Sequence, residues 1–266
     1  MGHEDCSGGA AEQEPLLPNP VRIYDYLLGG KDNFAVDRQA AEHLQHAIPG
    51  VRESARANRR FLVRAVQLMA ESGIGQFLDL GTGLPTSPNV HEVARDVDPE
   101  VTVAYVDNDP TVTAFNRALR ADTPRVVAVH HDLRHPAEVL ADPVVRQAID
   151  LNAPLGLLLV AVLHFVDRRD AAALVTSYVD QLAPGSLVAI SAACAADLAA
   201  PDVARIQAVY SATTPFVFHH PDEFALLFDG LELAEPGIVE VSKWRGDGLS
   251  LSYAGMTFLA GVARKT

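Results

Sequence analysis

Cysteine is nearly missing from this chain: 2 residues in 266, Cys6 and Cys194. Two cysteines cannot build a disulfide framework or a zinc site, so neither is expected. Lysine is almost as scarce, with only Lys31, Lys243 and Lys265, and the formal charge is −13. An acidic chain without a basic run gains nothing from counterion release, which excludes nucleic acid as an expected partner. No apolar run reaches the roughly 20 residues of a membrane span. The longest, "APLGLLLVAVLHFV" at 153–166, falls short, and "MGHEDCSGGA" at the start has no apolar signal core. The expectation is a cytoplasmic protein with no membrane partner. Internal repeats and low-complexity linkers are also missing.

What the chain does have is 48% hydrophobic content, enough for a buried core. Residues 1–17 read as a disordered tail and 18–57 as an N-terminal helical cap or lid, with the main domain at 58–266. In "NPVRIYDYLLGG", Asn19 is the N-cap, Pro20 the first helical residue and Gly29 the stop. Val21, Tyr24 and Leu28 are assigned to one face, Arg22 and Asp25 to another. "FAVDRQAAEHLQHAI" predicts a second helix, and "VRESARANRRFLVRAVQLMAESG" a third that buries Phe61, Leu62, Ala65, Val66 and Met69.

From residue 76 onward, short apolar runs alternate with helical stretches. Strands are predicted at 76–80, 101–107, 126–132, 155–162 and 186–191, with helices near 89–96, 110–120, 137–148 and 169–182. Several strands are apolar at nearly every position, as parallel strands covered on both faces are. Two further helical stretches, near 200–211 and 221–228, precede "GIVEVSKW" and "YAGMTFLAGVAR", read as closing strands joined by a Gly-rich turn. The fold class is α/β, a doubly wound, mostly parallel seven-stranded sheet with an N-terminal helical cap.

"FLDLGTGLPT" at 77–86 sits where such a sheet binds ligands, at the tip of its first strand. A dinucleotide turn wants G-x-G-x-x-G; Thr86 stands at the third glycine, and the pattern is instead D-x-G-x-G. Asp107, ending the second strand in "VDNDP", can accept hydrogen bonds from both hydroxyls of a ribose, a group shared by NAD and S-adenosylmethionine. Asp132, ending the third in "HHDLR", can accept from an adenine amino group. A nicotinamide dehydrogenase is disfavoured by Thr86 and Asp79.

The order "FLDLGTG", "YVDND", "HHDLR", "LLLVAVLHFVDRRD" and "LAPGSLVAIS" resembles the class I S-adenosylmethionine-dependent methyltransferases, with their Rossmann-like fold. "NPVRIYDYLLGGKDNFAVDR" with "GLPTSPNVHEVAR" resembles a narrower group, the actinobacterial S-adenosyl methyltransferase family, formerly a domain of unknown function. The resemblance spans about 18–264. It implies that Gly81 and Gly83 cradle the methionine part of the cofactor and that Asp79 orients the loop or the ammonium. It further implies that Asp107 binds the ribose, that Asn108 lies beside adenine, and that Asp132 and Leu133 meet the adenine edge. Pro85 and Pro88 delay the helix after the first strand.

His164, just past the fourth strand, is the candidate general base. No [DNS]-P-P-[YFW] follows that strand, which disfavours amino-methylation of nucleobases, and no Pro-Cys pair provides a cysteine nucleophile. The pairs His130/His131 and His219/His220 point to opposite faces of a strand, and His43/His46 lack a third ligand, so no metal is expected. "GGKDNF" at 29–34 predicts a segment that closes over the ligand, with Lys31, Asp32 and Asn33 facing it. The expected activity is methyl transfer to a small molecule of specialised metabolism. The alternative is a regulatory protein that holds S-adenosylmethionine or S-adenosylhomocysteine without turnover. A homodimer is compatible with either.

Overall fold

The computed structural model describes residues 17–120, 123–195, 198–246 and 256–266. The expected tail lies outside these residues apart from Leu17, as does the Gly-rich turn before the last strand from residue 247 onward. The Asn19 side-chain oxygen accepts from the Val21 and Arg22 amides at 2.9 and 3.4 Å, and Pro20 takes the first helical position, where a missing N–H costs nothing. Helix α1 (Pro20–Leu28) then ends at Gly29, a left-handed C-cap with φ 93°. It is followed by α2 (Ala35–Ala47) and α3 (Val51–Glu71). Asp37, on α2, joins the first two helices. Its buried carboxylate accepts from the Asn19 amide at 2.8 Å, the Phe34 amide at 2.9 Å and Arg22 Nε at 2.7 Å.

The faces of α1 differ from the expected ones. Ile23, Asp25 and Leu27 are the buried residues, whereas Val21, Arg22, Tyr24 and Leu28 are only partly buried. At about 100° per residue, positions 21, 24, 25 and 28 form a single stripe, with Ile23 on the opposite side. Helix α3 buries Phe61, Leu62, Ala65, Val66 and Met69 as predicted. It also runs without a break through 57 and 58, so the expected junction between cap and main domain falls inside one helix.

The sheet contains β1 (Gln76–Leu80), β2 (Thr102–Asp107), β3 (Val126–His130), β4 (Gly156–Val160), β5 (Leu187–Ala195), β6 (Glu232–Leu233), β7 (Val239–Glu240) and β8 (Met256–Arg264). Its order is β3-β2-β1-β4-β5-β8-β6, with β7 also on β8. β1 to β5 are parallel; β8 inserts antiparallel beside β5. β6 and β7 pair with successive parts of the far side of β8, so they are one edge strand in two pieces. The sheet is therefore seven strands wide, mostly parallel and doubly wound. Only Val239 and Glu240 of "GIVEVSKW" are strand; the chain then turns, and Trp244 packs edge-on against Phe61 with centroids 5.3 Å apart.

Between the strands lie α4 (Val90–Arg95), α5 (Pro110–Arg120), α6 (Pro136–Ala141), α7 (Pro143–Ala148), α8 (Arg168–Val179), α9 (Ala200–Tyr210) and α10 (Pro221–Ala225). The single helix expected at 137–148 is two. Pro143 cannot continue the first, and the Asp142 carboxylate caps the second by accepting from the Val144 and Val145 amides at 2.7 and 3.1 Å. Alternate residues of each strand feed two cores. Phe77, Val103 and Leu158 join the α1–α3 side, while Leu78, Ala104 and Leu157 join the α6–α8 side.

Candidate functional site

The strand order reverses between β1 and β4, and in an open parallel sheet ligands bind beyond the strand tips at that reversal. A cavity of about 410 Å³ opens there. Its floor is the turn after β1, where Gly81 and Gly83 take φ of 72° and 66°, a region that suits glycine. Gly81 is needed for a second reason: a Cβ there would stand 2.4 Å from Val162 Cγ2. The amides of Gly81 and Thr82 donate to the Val106 carbonyl at 2.8 and 3.2 Å. Gly83 donates its amide to Asp107 Oδ2 at 2.9 Å, and its carbonyl accepts from Asn116 Nδ2 at 3.0 Å. Helix α4 starts only at Val90, so the loop is long, as Pro85 and Pro88 predict.

Asp107 is buried, and its Oδ1 accepts from the Asp109 amide at 3.0 Å. Burial raises its pKa; these backbone hydrogen bonds oppose the shift without cancelling it. A carboxylate has about four acceptor positions, so capacity for a ligand remains. Asp79, Asn108, Asp132 and Leu133 line the same cavity. Asp132 is clasped by Arg134, whose Nε lies 3.0 Å from each carboxylate oxygen. Burial raises the Asp132 pKa, but the Arg134 bonds outweigh it and hold the group below the usual carboxylate range.

His164 also reaches the cavity, from the 3-10 turn Leu163–Phe165. Its ring packs against Phe165, Phe216 and Phe258 at centroid distances of 4.5, 4.9 and 5.7 Å. Burial, and secondarily the neighbouring His219, lower its pKa to about 3. A ring that holds a proton only in strong acid is a poor general base at neutral pH. Lys31 and Asn33 are absent from the lining: Lys31 is exposed, and Asn33 turns its Nδ2 back to Asp25 Oδ2 at 2.8 Å. Of the trio expected to face the ligand, Asn33 instead braces a residue that lines the cavity.

That residue, Asp25, belongs to the roof, where Pro20, Val21, Tyr24, Asp25, Leu27 and Leu28 of α1 line the cavity. Sequence reasoning missed several residues here. The Asn19 cap uses only the oxygen of its amide, and its Nδ2 is left to donate to Asp109 Oδ2 at 2.8 Å. Arg59 on α3 holds the floor loop by donating to the Thr86 and Pro88 carbonyls, while its Nε is buried with no hydrogen-bond partner. A buried polar chain ties roof to sheet. Tyr24 Oη donates to the Ala55 carbonyl at 3.1 Å and accepts from Asn58 Nδ2 at 3.0 Å. Ser191 Oγ donates to Asn58 Oδ1 at 2.6 Å and accepts at 3.1 Å from the amide of Ala161, a cavity residue with φ 56°. Among the described residues, no helix is long and apolar enough to cross a membrane, and no cluster of three or more His, Cys, Asp or Glu could hold a metal ion.

The S-adenosyl methyltransferase family matches residues 11–266. A candidate methyltransferase of Thermobifida fusca YX is 39% identical, covers 94% of this chain and 96% of its own, and superposes with a TM-score of 0.85. A DUF574 family protein of Streptomyces avermitilis MA-4680 is 40% identical, over 94% of this chain and 98% of its own, again with a TM-score of 0.85. A geranyl diphosphate methyltransferase solved with GPP and sinefungin shares the fold alone, at 11% identity over 76% of this chain and 77% of its own, with a TM-score of 0.52. Among curated proteins no match is found. A match over nearly the whole length, joined by two relatives near 40% identity, shows that this chain belongs to the S-adenosyl methyltransferase family and is a methyltransferase that uses S-adenosylmethionine.

Proposed function

We propose that the cavity holds S-adenosylmethionine across the tips of β1 to β3 and a small-molecule acceptor, of the kind found in specialised metabolism, under the helical roof. The observation that carries this reading is the Gly83–Asp107 pairing. It fixes a glycine turn and a buried carboxylate side by side, as a nucleoside with a charged tail requires. The cavity volume of about 410 Å³ lies within the roughly 300–1,000 Å³ range of ligand pockets, which suits small reactants.

The bound cofactor supplies a methyl group on a positively charged sulfur. In this reading Asp107 accepts from the ribose hydroxyls, Asn108 and Leu133 flank the adenine, and Asp132 accepts from its amino group while Arg134 keeps the carboxylate ionised. Gly81 and Gly83 let the methionine part approach the backbone, with Asp79 beneath it. The protein then acts mainly by alignment and by excluding water, and alignment alone can contribute roughly 7–11 kcal/mol. His164 forms a neutral wall. Calorimetry with S-adenosylmethionine, S-adenosylhomocysteine and NAD in parallel tests the cofactor assignment: the first two bind and NAD does not. Tight NAD binding with no response to S-adenosylhomocysteine overturns it. A mass-spectrometric screen for methylated metabolites then tests for a small-molecule acceptor; methyl transfer only to protein or nucleic acid sinks that part.

A further inference from the structure

Asp25 is a buried carboxylate on the cavity side of α1, and three separate features hold it there. Gly30 lies so close that a Cβ would stand 1.9 Å from Asp25 Oδ1. Asn33 Nδ2 donates to Asp25 Oδ2 at 2.8 Å and to the Gly30 carbonyl at 3.1 Å. Arg38 donates to Asn33 Oδ1 at 3.2 Å, which turns the amide nitrogen toward Asp25. The double glycine and the Asn of "GGKDNF" thus have a physical purpose: Gly29 ends the helix, Gly30 makes room for a carboxylate, and Asn33 steadies it.

The position of Asp25 along the helix is informative. Val21 Cγ1 lies 3.6 Å from where a Gly83 Cβ would stand, so that turn of α1 covers the cofactor loop. At 1.5 Å per residue, Asp25 lies about 6 Å further along the same stripe, and Leu28 about 4.5 Å beyond it. The same cavity is also lined by apolar and aromatic side chains, among them Leu44, Leu62, Tyr210, Phe216, Met256 and Phe258. Asp25 thus shares one cavity with the cofactor loop and with an apolar wall. Among the described residues no cation pairs with it; its side-chain partner Asn33 is neutral and the nearby Asp32 repels. Five carboxylates, Asp25, Asp79, Asp107, Asp109 and Asp132, line the cavity against two guanidiniums, those of Arg59 and Arg134. Arg134 is spent on Asp132, and Arg59 on loop carbonyls.

We propose that Asp25 is the specificity-determining residue for the methyl acceptor, and that the acceptor is a largely apolar molecule carrying a protonated amine that pairs with this carboxylate. The inference rests on the cofactor reading above and adds the chemical class of the second substrate. A buried carboxylate is costly to keep ionised unless it is paired, and a ligand cation lowers that cost. Burial raises the Asp25 pKa, the shift expected of a carboxylate with no cation beside it.

The test uses the full chain saturated with S-adenosylhomocysteine and three probes of one shape: phenethylamine, phenethyl alcohol and propylbenzene. Ligand-observed NMR should show the amine binding roughly tenfold or more tightly than the other two, the range of a charge-assisted hydrogen bond. Asp25→Asn keeps the shape and should remove the preference while leaving S-adenosylhomocysteine affinity unchanged by calorimetry. Gly30→Ala keeps the charge but displaces the carboxylate, and should remove the preference as well. Equal binding of the three probes by the native chain overturns the proposal. So does a loss of S-adenosylhomocysteine affinity in Asp25→Asn, which would place the carboxylate on the cofactor. If the native chain fails to bind S-adenosylhomocysteine at all, the cofactor reading fails first, and the proposal falls with it.

Discussion

Asn19 and Asp109 are joined by a 2.8 Å hydrogen bond between the cap of the first helix and the turn after the second strand. Each residue also organises its own helix. Asn19 accepts from the Val21 and Arg22 amides, and Asp109 accepts from the Thr111 and Val112 amides at 2.8 and 3.3 Å. The bond therefore latches the roof to the part of the floor beside Asp107. Helices as short as α1 are unstable alone, so this contact and the burial of Ile23 and Leu27 keep it in place. We propose that α1, within the cap or lid expected at 18–57, opens by breaking this latch. Hydrogen exchange of the α1 amides should slow when S-adenosylhomocysteine is added, and Asn19→Ala should speed exchange in the free protein. Slow exchange that ligand leaves unchanged would make α1 a fixed roof.

Asp107→Ala should lower S-adenosylhomocysteine affinity by one to two orders of magnitude in calorimetry, since a hydrogen bond to a charged group contributes roughly 1.5–3 kcal/mol. The substitution also removes the acceptor of the Gly83 amide, so the loop loses its support together with the ligand contact. Circular dichroism should remain that of a folded chain. Unchanged affinity would move the ribose contact elsewhere, with Asp109 the first residue to examine.

Gly81→Ala should be damaging for two separable reasons. A left-handed backbone at a non-glycine residue costs roughly 1–2 kcal/mol, and the new methyl collides with Val162. Val162→Ala removes the 2.4 Å contact but not the backbone cost. A double-mutant cycle on thermal stability should therefore show positive coupling, with the pair less damaged than the sum of the single variants. Strict additivity would mean that the collision is not felt.

His164 gives a pH signature. In the unfolded chain an imidazole takes up its proton near pH 6.5, whereas the buried ring does so only at about 3. Between those values the unfolded state binds more protons, so stability falls as pH falls, by roughly 1.4 kcal/mol per unit for this group, and is unaffected above the window. Urea unfolding at pH 7 and pH 5 should show His164→Phe losing about 2 kcal/mol less than the native chain. Identical losses in both chains would show that His164 titrates normally.

Much of the fold was legible because the strands declare themselves. The boundaries of β1 and α5 are those the sequence predicts, and Gly81, Gly83, Asp107 and Asp132 meet at one cavity as expected of strand tips. β6, two residues long, carries no pattern of its own and exists only because β8 offers an edge. The break at Asp142 was readable in "ADPVV", where proline and a capping acid adjoin. The roof was harder. Asp25 lies on the 21, 24, 28 stripe by helical spacing alone, but a polar residue among apolar ones invites assignment to the solvent face. The need for Gly30 depends on where a carboxylate five residues earlier points, which no local rule states. The basicity of His164 is set by rings from residues 165, 216 and 258, brought together only by folding.

The buried chain from Tyr24 through Asn58 and Ser191 to Ala161 bears on how this protein can be recombined. It starts in the roof, crosses α3 and ends beside the cavity, so hydrogen-bond partners contributed by distant parts of the sequence depend on one another. A chimera that takes residues 18–57 from a relative inherits Tyr24 but keeps the host's Asn58 and Ser191. Each unmatched position would leave a polar atom without a partner in the interior, where that typically costs 1–3 kcal/mol. Roofs are thus exchangeable between relatives only as a set with those two residues. Point changes at positions 25 and 28, which line the cavity and lie outside this buried chain, avoid that cost.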